Sequence, residues 1–322
     1  MPAEQTKLPI IDISALAKGD DAMQTVAGEI QAACDVSGFF YLAGHGIDDQ
    51  AITEIRSAAK DFFAMADVSK RDIAINQHNR GYLGPGEARM KGAKKTDLKE
   101  VFFWGRDLAE DDPDVLAGIP LCGPNRWPSS PPGFRGSVVQ YADAVQQAGD
   151  RVLRAFAASL GASPDFFVSR YTRPMLRGQL IHYPPLPDDA PSDQFGVAPH
   201  SDFGCITLLL QETPGLEVLT RSGKWIKAPP IPGTLIINIG DLLERWSNNR
   251  LPSTRHRVRN ETKAGRYSVA MFYDPSPRAV VDPRDLGAED CDDYPPVEAA
   301  DYILSRNKGS FAHYNPGIKE PA

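Results

Sequence analysis

The chain has 322 residues, with 42 acidic and 35 basic side chains and a net charge of −7. This length suits one large domain or two small ones, and the 42% of hydrophobic residues is ordinary for a soluble globular protein. An acidic total without a Lys/Arg stripe argues against nucleic acid as a partner. Lys91, Lys94 and Lys95 form a small cluster, which we interpret as a solvated loop.

Cysteine usage and the absence of leader signals bear on the compartment. The four cysteines lie far apart and form no C-x-x-C pair, so we expect neither a disulfide framework nor a zinc cluster. The opening MPAEQTKLPI lacks a basic region followed by an apolar run, and no apolar stretch approaches the length of a membrane span. We therefore expect a cytoplasmic protein without a membrane partner.

The first half of the chain mixes short strands with helices. Hydrophobic periodicity and flanking breakers predict these elements in chain order: a strand over 9–13, a helix over 21–35, a strand over 38–43, a helix over 52–66, a loop over Gly81–Pro85 and a strand over 101–104. A long helix follows over Ser137–Leu160, and Gly161 is a suitable C-terminal stop.

The pattern changes after about residue 175, where short β-rich runs alternate with Pro and Gly turns. The runs are 179–183, 205–211, 216–219, 224–227, 234–239 and 267–273. Many short strands separated by turns predict a sandwich or a double-sheet barrel. A nucleotide-binding α/β fold is disfavoured, because the sequence contains no G-x-G-x-x-G motif and no P-loop.

Two of the six histidines suggest a metal site. His200 and Asp202 are two residues apart, so in extended backbone their side chains point the same way and can reach one ion. His256 can complete the set from another strand. Two histidines and one carboxylate on one face of an octahedron are the ligand set of non-haem Fe(II) oxygenases. A structural zinc site would fill four positions, commonly with cysteines.

A candidate anion clamp begins ten residues after the last of these ligands. Arg266 and Ser268 lie two apart in an apparent strand and share a face. An Arg fork makes two parallel charge-assisted hydrogen bonds to a carboxylate, and a serine hydroxyl can add a third. Beside an iron site the pair would hold a small dicarboxylate. A purely structural ion pair of the arginine is the alternative interpretation.

The order H-x-D, distal His and R-x-S resembles the isopenicillin N synthase-like family of Fe(II)/2-oxoglutarate-dependent dioxygenases. The resemblance extends over nearly the whole chain. The segments that carry it are Leu8–Ser14, Ser37–Ile47, Asp97–Phe102, Asn125–Pro128 and Ile237–Asp241, in addition to the triad and the R-x-S. It implies a mainly β fold with flanking helices, built on a double-stranded β-helix (jelly roll).

The resemblance also implies the cofactors and their sites. His200, Asp202 and His256 would bind Fe(II), and Arg266 and Ser268 would bind 2-oxoglutarate. Tyr183 matches the tyrosine of the family's N-x-Y motif, which contacts the same co-substrate, although Ile181 replaces the asparagine. With O2, the enzyme would hydroxylate, desaturate or cyclise a small organic molecule and release succinate and CO2. We expect an N-terminal α/β region over 1–130 packing on a helix and jelly-roll core over 131–322, as one catalytic unit.

Several points stay open at this level. An iron oxidase of the same family that does not use 2-oxoglutarate, or an inactive jelly-roll binding protein, would have a similar sequence. Tyr82, Phe103, Phe203 and Phe272 are candidates for the substrate pocket walls, with core packing an equally good interpretation of each. His182 is expected to point away from the barrel. Nothing in the sequence demands more than a monomer, although a weak homo-oligomer is compatible with it.

Overall fold

Two β-sheets of unequal size form the centre of the protein. The computed structural model describes residues 7–314 apart from 188, 192, 261 and 263. The expectation of no leader rests partly on residues 1–6, which lie outside this range. The strands are β1 (Ile10–Asp12), β2 (Phe39–Ala43), β3 (Gly81–Leu83), β4 (Glu100–Gly105), β5 (Met175–Tyr183), β6 (Val197–His200), β7 (Ile206–Gln211), β8 (Leu216–Leu219), β9 (Trp225–Lys227), β10 (Leu235–Ile239), β11 (His256–Val258), β12 (Arg266–Asp274), β13 (Val280–Val281) and β14 (Val297–Glu298).

Helices surround these sheets. They are α1 (Asp20–Val36), α2 (Asp49–Phe63), α3 (Asp67–Arg71), α4 (Pro113–Leu116), α5 (Phe134–Ser159), α6 (Asp165–Val168), α7 (Asp241–Trp246) and α8 (Ala299–Asn307), with short 3-10 helices over Ser14–Lys18 and Pro283–Leu286. Helix α5 contacts both α1 and α2, and its buried face includes Val138, Tyr141 and Val152. None of the helices in the described part of the chain combines the length and the apolar character that a membrane crossing requires.

Strand order confirms the predicted jelly roll. The larger sheet has the order β1-β2-β10-β7-β12-β5-β4-β3, and the smaller has the order β6-β11-β8-β9. Apart from the parallel pair β1–β2, neighbouring strands in both sheets are antiparallel. In this register Arg266 stands opposite Tyr183, and His256 stands opposite His200. The topology therefore brings the two candidate sites to the same space between the sheets.

Side-chain alternation separates an inner from an outer face of the larger sheet. On β4, Val101 and Phe103 belong to the core between the sheets, whereas Phe102 and Trp104 belong to the core under the helices. The inner face carries polar residues among the apolar ones. Arg266, Ser268 and Asn238 are all nearly fully buried there.

The structure differs from the predicted elements mainly at Gly81–Pro85, which was expected to be a loop. Gly81–Leu83 is instead strand β3, paired with β4. The glycine is required by a close approach, since a Cβ on Gly81 would lie 2.2 Å from the Ile73 carbonyl oxygen. The long helix was predicted, although it begins at Phe134 rather than at Ser137, and Gly161 at φ +73° follows its end. The division of the chain near residue 130 stays a prediction.

Candidate metal and co-substrate site

The three predicted metal ligands converge between the sheets. One ligand atom from each of His200, Asp202 and His256 lies within 4.8 Å of the other two. The Nε2 atoms of both histidines are 3.7 Å from Asp202 Oδ1. Strand β6 ends at His200, so Asp202 reaches the site from the segment that follows rather than from within the strand. The geometry is that of three ligands directed at one point.

Backbone carbonyls fix the orientation of both imidazole rings. His200 Nδ1 lies 2.9 Å from the Ala198 carbonyl oxygen, and His256 Nδ1 lies 3.2 Å from that of Thr254. Because a carbonyl only accepts, Nδ1 of each ring donates and Nε2 keeps its lone pair toward the site. Burial and the neighbouring His256 lower the pKa of His200 to about 3. The ring of His200 is therefore neutral at neutral pH, as a metal ligand must be.

The carboxylate of Asp202 is held by its other oxygen. Thr207 Oγ1 donates to Asp202 Oδ2 at 2.6 Å, and Asn238 Nδ2 donates to the same atom at 2.7 Å. Burial alone would raise the pKa of Asp202, but the two adjacent histidines and these hydrogen bonds lower it. The carboxylate stays ionised, and Oδ1 is left for a metal. Two imidazoles and one carboxylate on one side fit Fe(II) with open positions opposite.

A second feature of the same space is the cavity around Arg266, which we call the Arg266 cavity. It has a volume of about 70 Å³ and is lined by all three metal ligands as well as by Tyr183, Arg266 and Ser268. The Arg266 side chain is fully buried, and its Nη1 donates to Ser268 Oγ at 3.4 Å. Its Nε has no hydrogen-bond partner among the described residues. A buried guanidinium with an unused donor suits a carboxylate ligand.

Tyr183 and Gln211 complete the surroundings of this guanidinium. Arg266 Cζ lies 4.8 Å from the centre of the Tyr183 ring, and Arg266 Nη2 donates to Gln211 Oε1 at 3.0 Å. Gln211 Nε2 in turn donates to the Ala228 carbonyl at 2.8 Å. Gln211 was not singled out from the sequence. The alternation of side chains along β7 could have indicated it, since Thr207 and Gln211 are four residues apart on one strand and share a face.

An adjoining cavity, which we call the Phe203 cavity, meets the first one at the metal ligands. It has a volume of about 60 Å³, and His200, Asp202, Lys99, Gln179 and Phe272 line both cavities. Three of the predicted wall residues, Phe103, Phe203 and Phe272, line it. Its walls also include residues that the sequence did not single out as wall candidates: Asn79, Met90, Arg177, Asn307 and Phe311.

Tyr82, the fourth predicted wall residue, lies elsewhere. Strand β3 pairs Tyr82 with Phe102, which is on the outer face of the sheet. The Tyr82 hydroxyl donates to Glu100 Oε2 at 2.7 Å, and its ring packs against Phe62. The expectation that Tyr82 lines the pocket is therefore corrected, because the register turns its side chain away from the cavity.

The fold and the site together define a non-haem iron oxygenase. Two family models match the chain: the N-terminal region of the non-haem dioxygenase in morphine synthesis, over residues 8–130, and the 2OG-Fe(II) oxygenase superfamily, over residues 165–275. The chain belongs to the 2OG-Fe(II) oxygenase superfamily, and it is an Fe(II)- and 2-oxoglutarate-dependent dioxygenase.

Relatives of known name span nearly the whole chain. The 2-oxoglutarate-Fe(II) type oxidoreductase hxnY of Emericella nidulans is 33% identical, and the match covers 98% of this chain and 94% of that protein. A homoarginine-6-hydroxylase of Glycine max is 34% identical over 88% of this chain and 90% of its own. The crystal structure of a full-length Neurospora crassa protein in complex with alpha-KG and thymine superimposes with a TM-score of 0.81 at 28% identity, covering 94% of this chain and 97% of that one. This chain thus resembles its relatives over most of its length.

Proposed function

We propose that this enzyme binds Fe(II) through His200, Asp202 and His256 and hydroxylates a small organic molecule in the Phe203 cavity. Arg266 and Ser268, with Tyr183 beside them, would bind the distal carboxylate of 2-oxoglutarate. The observation that carries the proposal is the shared cavity. Arg266, with its unused Nε, lines the same cavity as the metal triad. A dicarboxylate can therefore reach both at once.

Each part of the chain has its own task in this scheme. Bound Fe(II) would supply the redox chemistry that couples decarboxylation of 2-oxoglutarate to oxidation of a C–H bond. The protein's residues orient the metal ligands and enclose the reacting groups. Thr207 and Asn238 hold Asp202 Oδ2 so that Oδ1 faces the metal position. Phe103, Phe203 and Phe272 form apolar walls that keep water away from the reacting groups.

Hydroxylation is preferred to desaturation or ring formation on the basis of the relatives. Two of them, from Glycine max and Oryza sativa, are named homoarginine-6-hydroxylases. The Neurospora structure contains thymine, a small molecule. We further propose that the protein acts in the cytoplasm as a monomer or weak homo-oligomer, without nucleic-acid or membrane partners. The net charge of −7 supports the exclusion of nucleic acid.

An anaerobic titration tests the proposal. The protein with Fe(II) should develop a weak visible absorption band when 2-oxoglutarate is added, and His200→Ala should abolish it. His78→Ala is a matched control, because His78 is partly exposed and lines neither cavity. Release of succinate from 2-oxoglutarate under air provides the second measurement. A wild-type protein that binds Fe(II) but gives neither band nor succinate would contradict the proposal.

A further inference from the structure

Hydrogen-bond donors dominate the polar part of the Phe203 cavity. Two cations, Lys99 and Arg177, and three amides, Asn79, Gln179 and Asn307, are among its lining residues. The one carboxylate of this lining is Asp202, which belongs to the metal triad. Arg177 is partly neutralised from behind, by two hydrogen bonds to the buried Asp274. A substrate in this cavity therefore meets donors and positive charge.

Of the two cations, Lys99 has hydrogen-bond donors left for a ligand. Its side chain is only 6% exposed, and its ammonium lies 3.3 Å from Asp97 Oδ2. No other ion pair of Lys99 is found in the described part of the chain. Asp97 is shared, because its Oδ1 also accepts from the Ala198 backbone N–H at 3.1 Å. An ammonium has three donors, so Lys99 can offer at least one to a ligand.

Lys99 also stands at the right place to act on a substrate. Lys99 comes just before β4, two residues before Val101 and four before Phe103. Both of these side chains face the space between the sheets, so the alternation of the strand directs Lys99 to the same side. It lines the Phe203 cavity and the Arg266 cavity alike, as His200 and Asp202 do. A group bound by Lys99 is thus held beside the metal position.

Asn307, at the end of α8, supplies a second donor from another part of the chain. Its side chain is 2% exposed, and its Nδ2 has no hydrogen-bond partner among the described residues. A buried amide without a partner costs free energy, and a ligand acceptor in the cavity would remove that cost. Asn307 lines the Phe203 cavity but not the Arg266 cavity. Its free donor is therefore placed to bind the substrate rather than 2-oxoglutarate.

Aromatic rings form much of the remaining wall of this cavity. Phe103 and Phe311 meet edge to face with ring centres 5.7 Å apart, and Arg177 lies over the Phe272 ring at 5.0 Å. Phe203 lies on the segment that carries Asp202. Phenyl walls favour a ligand with an aromatic ring of its own.

We propose that the substrate class of this enzyme is a small aromatic carboxylate, whose carboxylate is bound by Lys99 and Asn307 between these phenyl walls. The inference rests on the proposed function, since it assigns a ligand to the same active site. A carboxylate satisfies both unused donors, whereas a cationic substrate would be repelled by Lys99 and Arg177. The alternative is that Lys99 merely neutralises the buried Asp97.

The first experiment compares three probes of similar size and different charge. Benzoate, benzamide and benzylamine are titrated anaerobically into the protein loaded with Fe(II) and saturating 2-oxoglutarate, and the visible band is followed. Benzoate should shift the band saturably. Benzamide should bind roughly tenfold more weakly, because it lacks the charge-assisted hydrogen bond, and benzylamine should leave the band unchanged.

Three outcomes overturn the proposal. The first is that benzylamine shifts the band as strongly as benzoate does. The second is a formed band that no probe shifts, and the third is a band that benzoate removes and further 2-oxoglutarate restores, which places benzoate at Arg266. Failure of the band to form at all without any probe contradicts the proposed function instead. The two failures are therefore distinguishable.

Variants then assign the effect to residues. Lys99→Met should raise the Kd for benzoate roughly tenfold to a hundredfold and change that for benzamide less. Asn307→Leu should weaken both ligands. Lys94→Met, in the neighbouring loop, is the control and should match the wild type. Asp97→Asn combined with Lys99→Met removes the buried charge pair together. If this double variant binds benzoate as the wild type does, Lys99 is structural and the proposal fails.

Discussion

Thr207 Oγ1 donates a 2.6 Å hydrogen bond to Asp202 Oδ2, the carboxylate oxygen that faces away from the two histidines. Asn238 donates to the same oxygen at 2.7 Å. The metal ligand is therefore oriented before any metal binds. Such partners fix which oxygen coordinates and reduce the conformational freedom that binding must remove.

Removing the hydroxyl of Thr207 should weaken metal binding. Thr207→Val keeps the side-chain shape and leaves Asp202 Oδ2 with Asn238 alone. We expect the Fe(II) affinity to fall roughly tenfold to a hundredfold. Anaerobic competition with a chelator measures this. Thr234→Val is the control, since the Thr234 hydroxyl donates to the Ile231 carbonyl in the turn before β10. An unchanged affinity in Thr207→Val would show that Asn238 suffices.

Gln211 should set the affinity for 2-oxoglutarate through Arg266. Gln211→Glu replaces the amide that accepts from Arg266 Nη2 at 3.0 Å by a carboxylate. The new charge pairs with the guanidinium and competes with the co-substrate carboxylate. We expect the Kd for 2-oxoglutarate to rise by roughly tenfold to a hundredfold. The visible band of the anaerobic Fe(II) protein reports this Kd.

The control for this prediction is Gln50→Glu, at the first turn of α2 on the protein surface. It adds the same charge far from Arg266 and should leave the Kd unchanged. If Gln211→Glu also binds 2-oxoglutarate as tightly as the wild type does, Arg266 is not the group that holds its carboxylate.

Local sequence patterns located the paired site residues because the members of each pair are close in the chain, whereas His256 was assigned from the order of motifs that resembles the family. The i, i+2 spacing of His200 and Asp202, and of Arg266 and Ser268, needed no tertiary information. The same alternation places His182 outward, where its Nδ1 lies 2.7 Å from Glu100 Oε1. Tyr82 was misplaced because the register of β3 against β4 depends on backbone pairing that no local pattern shows.

Such local patterns did not reveal several residues that line the Phe203 cavity. Asn307 and Phe311 reach the cavity from the C-terminal part of the chain, where Ala88 and Phe311 form an isolated bridge. Helix α8 has ordinary amphipathic spacing, and nothing in it indicates which sheet opening it covers. Lys99 was within a recognised motif, yet its direction became clear only with the pairing of β4 and β5.

Glu100 is the hub of a buried network on the outer face of the sheet. It accepts from Lys70 Nζ at 2.6 Å, from the Tyr82 hydroxyl at 2.7 Å and from His182 Nδ1 at 2.7 Å. Glu100→Gln leaves the buried ammonium of Lys70 without its counter-charge. We expect a loss of about 3 kcal/mol in the free energy of unfolding, measured by urea denaturation. Glu29→Gln, on the exposed side of α1, should change it by less than about 0.5 kcal/mol.

The same network predicts the direction of acid sensitivity. Burial alone would raise the pKa of Glu100, but the hydrogen bonds from His182, Lys70 and Tyr82 lower it. A carboxyl with a lowered folded pKa stabilises the protein above its unfolded pKa, and this contribution is lost as the pH falls through the folded value. The difference in stability between the wild type and Glu100→Gln should thus shrink as the pH falls below about 4. A difference that grows as the pH falls below that value would contradict the assignment.

Gly178 is required by the close approach of Trp104 across strands β4 and β5. A Cβ at Gly178 would lie 2.0 Å from Trp104 Cε2, and the indole is itself 2% exposed, so it cannot move aside without disturbing the core. Gly178→Ala should therefore cost about 3 kcal/mol of unfolding free energy. Gly28→Ala is the informative control, because a Cβ there meets nothing within 4 Å in the middle of α1. That change should stabilise by about 0.5–1 kcal/mol, since alanine favours the helix. Equal effects of the two substitutions in thermal or urea unfolding would exclude the steric explanation for Gly178.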